Sequence, residues 1–298
     1  MTISFGTNPI AWSNDDLPEL GGETSLETCL SQARQAGFTG IEKGNKFPAD
    51  PGALLDVLGH HGLTFISGWY GAELRHRDVE DELAAMRPHL DLLKACGCQV
   101  MVLAETSGTV QGRMDVPVAD RPVMTAEEWP VFLGRLGHLG RHMADEGVRI
   151  AFHHHMGTVI ETAPEITRLL EGTPDEVGLL FDTGHLAFAG EDPVALARIF
   201  TSRVNHIHAK DIRADVLARA KDRRWSFLKS VLEGVYTVPG DGSIGFAEVL
   251  KPFAAGGYDG WLVVEAEQDP AKAHPLTYAR AGFHHLHAAA QQAGFVVT

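Results

Sequence analysis

The residues with the most pointed chemistry are Asp182, His208 and Glu265, each of which closes a short, mostly apolar run of the chain. If those runs are neighbouring strands, two carboxylates and an imidazole meet where burial has removed most of the water. A buried carboxylate needs a cation. Mixed oxygen and nitrogen donors suit Mn²⁺, Co²⁺, Mg²⁺ or Zn²⁺ and leave positions open for a substrate. An acidic residue at a strand end can also simply cap the next helix. For one residue that explanation competes well; for the ends of four successive runs together it competes poorly.

A fourth donor should come from the run that ends in His153-His154-His155. Glu161, directly before the helix start at Thr162, is the expected ligand because it is a hard anionic donor at the top of that unit. His153 is the competitor, since it holds the strand position itself. Alternation along a strand sends His153 and His155 to one face and His154 to the other, which makes His154 a structural histidine. His60-His61 and His284-His285 lie in helical segments and read as surface or packing residues.

These residues require elements that converge. The chain repeats one rhythm: a short β-branched apolar run, a polar turn, then an amphipathic segment. Eight runs fit: Ile3 to Pro9, Gly40 to Asn45, Thr64 to Tyr70, Gln99 to Glu105, Arg149 to His155, Val177 to Gly184, Val204 to Asp211 and Gly260 to Glu267. Most are continuously apolar, as strands buried on both faces should be. Helix starts are signalled by Thr24 with Glu27, Thr125 with Glu128, Thr162 with Glu165, and Asp192-Pro193. Val79, Leu83, Met86, Leu90 and Leu93 form one helical stripe, and Pro88 inside it predicts a kink or break. The connections Glu105 to Met124 and Ala214 to Ser243 exceed ordinary length and read as lids or site walls.

Eight alternating units over 298 residues with no linker-like stretch predict an α/β fold, a single (β/α)₈ barrel domain spanning residues 1–298. The rival, a doubly wound sheet, lacks its phosphate-binding glycine fingerprint. Catalytic groups then belong at the carboxyl ends of the strands, where the polar residues indeed gather. With 39 acidic and 25 basic residues the formal charge is −14, which argues against a nucleic-acid partner. At 44% hydrophobic and 21% charged residues the chain reads as folded, with no bilayer-length apolar run. The amino-terminal residues lack an export pattern, which points to the cytoplasm. Cys29, Cys96 and Cys98 read as core thiols rather than a disulfide or zinc framework.

The segments Phe181-Asp182-Thr183-Gly184-His185, His206-Ile207-His208-Ala209-Lys210-Asp211 and Glu265 resemble the xylose isomerase-like barrels over essentially the whole chain. Gly6 to Asp16, Gly44 to Pro48, His153 to Thr158 and Glu265 to Pro270 are similar, within that group, to the inosose dehydratases of myo-inositol catabolism. The resemblance implies a metal-dependent hydro-lyase that turns scyllo-inosose, a polyhydroxy ketone, into a trihydroxycyclohexanedione and water, with Mn²⁺ or Co²⁺ as the first candidates. It carries the ligand roles of Asp182, His208 and Glu265. Where many relatives have Glu-Asn-His on strand 5, this chain has His153-His154-His155. Dehydration next to a ketone needs an α-proton removed and a departing hydroxyl protonated. His155 fits the base by type and facing, though it could equally support a ligand. Lys46 fits the acid or an oxyanion partner, or pairs with Glu42. An isomerase or epimerase on the same barrel is the alternative activity. The partner is a small molecule, and the oligomeric state is left open, a homo-oligomer included.

Overall fold

A computed structural model describes residues 2–297. The apolar runs become strands β1 (Thr2–Thr7), β2 (Gly40–Lys43), β3 (Thr64–Ala72), β4 (Val100–Glu105), β5 (Arg149–His153), β6 (Val177–Asp182) and β7 (Val204–Ala209). The two-residue strands β8 (Asp211–Ile212) and β9 (Tyr236–Thr237) pair with each other, antiparallel, before β10 (Trp261–Val264) completes the set. Each barrel strand pairs in parallel with the next, and β10 returns to β1 with Leu262 opposite Phe5, closing an eight-stranded barrel. A last strand, β11 (Val296–Val297), adds to the outside of β1. Helices ring the barrel, and every residue of β6 is buried, as its unbroken apolar run requires.

Local chemistry explains the helix starts. Ser25, not Thr24, caps the first helix, its side chain accepting from the Thr28 amide. Thr162 and Glu165 form a reciprocal capping box, and Asp192 caps a helix whose first residue is Pro193. The expected break at Pro88 does not occur: the helix runs from Val79 to Ala95 without interruption. Met86, Leu90 and Leu93 are fully buried along it, and that burial outweighs the single backbone bond that proline removes.

The two long connections cover one side of the rim. Residues between β7 and β10 add the helices Ala214–Asp222 and Phe227–Leu232, which pack with Leu17, Met156, Phe188 and Tyr236 into a small apolar cluster of their own. The segment after β4 meets it: the Val118 amide donates to the Trp225 carbonyl at 3.1 Å, and Arg224 pairs with Asp120 at 2.5 Å. Among the described residues no helix is long and apolar enough to cross a membrane.

Candidate active site

Six of the eight barrel strands stop two or three residues short of the ends read from the sequence, while β4 ends at Glu105 as read and β3 runs two residues past Tyr70; the polar residues beyond the strands open the βα loops at one rim. There His153, Asp182, His208 and Glu265 each offer one ligand atom, and those atoms lie within 4.8 Å of one another. All four residues are buried. Each donor is aimed by its other polar atom. His153 Nδ1 donates to the His154 carbonyl at 2.7 Å, which leaves the Nε2 lone pair turned to the cluster, 3.9 Å from Asp182 Oδ2. His208 Nε2 donates to Glu42 Oε1 at 3.1 Å, which turns Nδ1 inward, 2.6 Å from Glu265 Oε2 and 3.6 Å from Asp182 Oδ2. Asp182 Oδ1 accepts from the His185 amide at 2.8 Å and caps the following helix, so only Oδ2 faces the cluster.

Of these inward atoms Asp182 Oδ2 is buried without a hydrogen-bond partner, and His208 Nδ1 and Glu265 Oε2, 2.6 Å apart, have only each other. Buried polar atoms are rarely left so, and three such atoms converging on one point fit a divalent ion with mixed oxygen and nitrogen donors. The electrostatics agree. Burial alone would lower the His208 pKa, but the charges of Glu265 and Glu42 outweigh it and push it well above the usual imidazole range. Positive charge is thus favoured at this point. Burial likewise would raise the Asp182 carboxyl, and the Lys210 ammonium 3.6 Å away holds it below its usual range instead.

The support of the cluster comes from the other half of the barrel and from the floor. Glu42, buried on β2, accepts from Asn8 Nδ2 and His206 Nε2, both at 2.8 Å, as well as from His208. Such a partner fixes both tautomer and ring orientation of the histidine it holds. Beside the cluster, His155, His185 and Glu267 form a second buried group of close donor atoms. Their neighbour Lys210 is fully buried, with Nζ 2.5 Å from Glu267 Oε1 and 3.1 Å from His185 Nε2.

The expected residues do not all arrive. Glu161 is absent from the cluster: its carboxylate accepts from the Gly157 amide at 2.8 Å and sits 3.4 Å from Arg121, a residue of the long loop after β4. His153 takes the strand-5 position because the strand itself delivers it to the rim. Lys46 also lies elsewhere, exposed, its ammonium donating to the carbonyls of Gly21, Gly22 and Thr24 at 3.1, 2.8 and 2.6 Å. The lysine that lines the cavity is Lys43, and Glu42 is occupied by histidines rather than by Lys46. His155 does line the cavity. Its Nδ1 donates to the Met156 carbonyl at 2.8 Å, so Nε2 carries the free lone pair, and burial with the nearby Lys210 charge lowers its pKa to about 4. His154 points the other way, accepting from the Asp182 amide at 3.3 Å.

The cavity above the cluster has a volume of about 300 Å³. Asp15, Lys43, Trp69 and Gln111 wall it, and His153, His155, His208 and Glu265 face it from below. Fold and site together define a (β/α)₈ barrel whose carboxyl-end rim carries a carboxylate–imidazole centre under a polar, ring-sized cavity. The family model of the xylose isomerase-like TIM barrels matches residues 30–289, and the chain belongs to that family. It is 50% identical to the rhizopine catabolism protein MocC of Rhizobium meliloti, over 99% of this chain and 91% of that protein. It is 46% identical to an inosose dehydratase of Geobacillus thermodenitrificans, over 93% of this chain and 94% of that protein. Among solved structures, the IOLI protein with a bound zinc atom aligns with a TM-score of 0.69 at 14% identity, covering 98% of each chain, a likeness of fold.

Proposed function

We propose that this chain is an inosose dehydratase, a hydro-lyase that removes water from scyllo-inosose to give 3D-trihydroxycyclohexane-1,2-dione in myo-inositol catabolism. The observation that carries the reading is its 46% identity, over 93% of the chain, to inosose dehydratases. A centre of matching chemistry at the rim supports it.

In this reading His153, Asp182, His208 and Glu265 hold one divalent ion, Mn²⁺ or Co²⁺ before Mg²⁺ or Zn²⁺. A bound ion of this kind polarises a carbonyl and stabilises the enolate charge, a contribution of several kcal/mol. The protein does the rest. His155 Nε2, unprotonated near neutral pH and facing the cavity, takes the α-proton. Lys43, which lines the same cavity and has no ion-pair partner among the described residues, hydrogen-bonds the departing hydroxyl and gives it a proton. Glu42 keeps His208 turned toward the centre, and the loops after β4 and β7 exclude water from one side.

The test is an assay of scyllo-inosose with purified protein. Consumption should yield a product lighter by one water, formed with added Mn²⁺ or Co²⁺ and lost with a chelator. A product of the substrate's own mass would make the chain an isomerase or epimerase, and chelator-insensitive turnover would remove the ion.

A further inference from the structure

Of three groups of metal-type donors among the described residues, Glu42, His206 and His208 are already hydrogen-bonded to one another, and two others lie side by side at the rim: the centre of His153, Asp182, His208 and Glu265, and the group of His155, His185 and Glu267. Adjacent sets of this kind are how barrels and other folds hold a pair of divalent ions about 3.5–4 Å apart. Here a side chain stands between them. Lys210 Nζ is 3.3 Å from Glu265 and 3.6 Å from Asp182 on one side, and 2.5 Å from Glu267 and 3.1 Å from His185 on the other. Its ring neighbour Tyr236 lies 4.7 Å from the ammonium.

The place is shaped for this lysine. A Cβ on Gly184 would come within 2.6–2.9 Å of the Lys210 stem, so the glycine makes the room through which the side chain reaches the centre. Thr183 Oγ1 donates to the Lys210 carbonyl at 2.7 Å and fixes its backbone. Lys210 does not line the cavity and is fully buried, so it works on the neighbouring donors and not on a substrate. Charge accounts for its presence: the carboxylates of Asp182, Glu265 and Glu267 all lie within 3.6 Å of the ammonium, where burial leaves little water to screen them. An ammonium also differs from a second ion in having no vacant coordination position.

We propose that Lys210 is a built-in second cation, a positioning residue that occupies the place of a second divalent ion and confines the chain to one. The inference rests on the metal reading above. It leaves His155 free of coordination and available as a base, where a second ion would claim its lone pair.

Metal content tests it. Wild type and Lys210→Ala are loaded with excess Mn²⁺, desalted, and measured by elemental analysis and electron paramagnetic resonance. Wild type should retain about one equivalent with the six-line spectrum of an isolated ion, and Lys210→Ala about two, with a spin-coupled spectrum. Lys210→Ala with His185→Ala should return to about one. If removing the ammonium leaves the variant unfolded, excess Mn²⁺ should restore the native circular dichroism as the ion takes the vacated place. Two equivalents in wild type, one in Lys210→Ala, or a variant that stays unfolded in excess Mn²⁺ would each overturn the proposal. Wild type that retains none would instead break the metal reading, and the proposal with it.

Discussion

Two carboxylates end neighbouring parts of the same barrel and have opposite fates. Glu105 closes β4 and is buried, yet both its oxygens are taken: Oε2 accepts from the Leu74 amide at 2.8 Å and Oε1 from the Ser107 amide at 2.9 Å. Asp182 closes β6, is equally buried, and has only one oxygen taken, by the His185 amide. Its other oxygen lies 3.6 Å from both His208 and Lys210 and has no hydrogen-bond partner. A polar residue at a strand end is therefore not by itself a site. What separates the two is whether backbone amides exhaust the carboxylate's acceptors, which makes it a loop brace, or leave one oxygen to face a common point. The same contrast divides the barrel. The first four strands brace and wall, through Asn8, Glu42, Lys43 and Glu105, while β5 to β7 and β10 deliver the converging donors.

The largest effect should come from the open oxygen. Asp182→Asn keeps Oδ1 as a helix cap, a role asparagine fills as well as aspartate, and removes the charge at Oδ2. Turnover should fall by about 10³-fold or more, with bound metal lost and the native circular dichroism kept. His153→Ala should do the same, and Glu161→Ala should keep its metal. A Glu161→Ala protein stripped of metal, beside a His153→Ala protein that holds it, would reverse the strand-5 assignment.

His155→Ala comes next, with a loss of about 10²–10⁴ in kcat and metal content unchanged, the scale of a general base. Lys46→Ala, which frees three loop carbonyls and touches nothing in the cavity, should lose less than about tenfold. Steady-state rates on scyllo-inosose and elemental analysis read both. An equal loss in the two variants would mean that the Gly21 to Thr24 loop, and not the lysine at Lys43, sets the acid side of the reaction.

The brace provides the third. Glu105→Ala leaves two buried amides without acceptors at about 1–3 kcal/mol each, so it should lower stability toward urea by roughly 2–6 kcal/mol while the folded protein keeps its metal. Metal loss at equal folded fraction would erase the distinction between the two carboxylates.

The sequence made the strands legible because a buried parallel strand must be continuously apolar, and Val177 to Phe181 is so. The same logic exposes Asp182, His208 and Glu265, charged or polar residues that interrupt such runs at their ends. Alternation also predicts that His153 and His155 share a face, and both line the cavity. What sequence does not carry is who else claims a side chain. Arg121 reaches Glu161 from a loop 40 residues earlier, and the Gly21 to Thr24 carbonyls take Lys46 from across the rim. Glu42 was visible at a strand end, but its three partners are Asn8, directly after the neighbouring β1, and His206 and His208 of β7. Lys210 had a signal of its own, a lysine directly after the apolar end of β7 with a glycine two residues beyond Asp182, and only the packed barrel joins the two.

The smallest effect concerns Glu161, a brace like Glu105, held by the Gly157 amide and Arg121; burial raises both carboxyls, that of Glu161 to about 7. A carboxyl whose folded pKa lies above its unfolded value near 4.5 holds a proton in the native state that the unfolded chain has already released. Stability from this group is then present below about pH 4.5 and falls as pH rises toward 7, with no further change above. Glutamine resembles the protonated form and does not titrate. Glu161→Gln should therefore gain on wild type as pH rises, its melting temperature moving up relative to wild type by a few degrees between pH 5 and pH 8, on a scale of about 2–4 °C per kcal/mol for chains of this size. Paired thermal melts in metal-free buffer read the difference directly. A gap that stays constant across that range would mean that Arg121 keeps the carboxylate ionised at no cost.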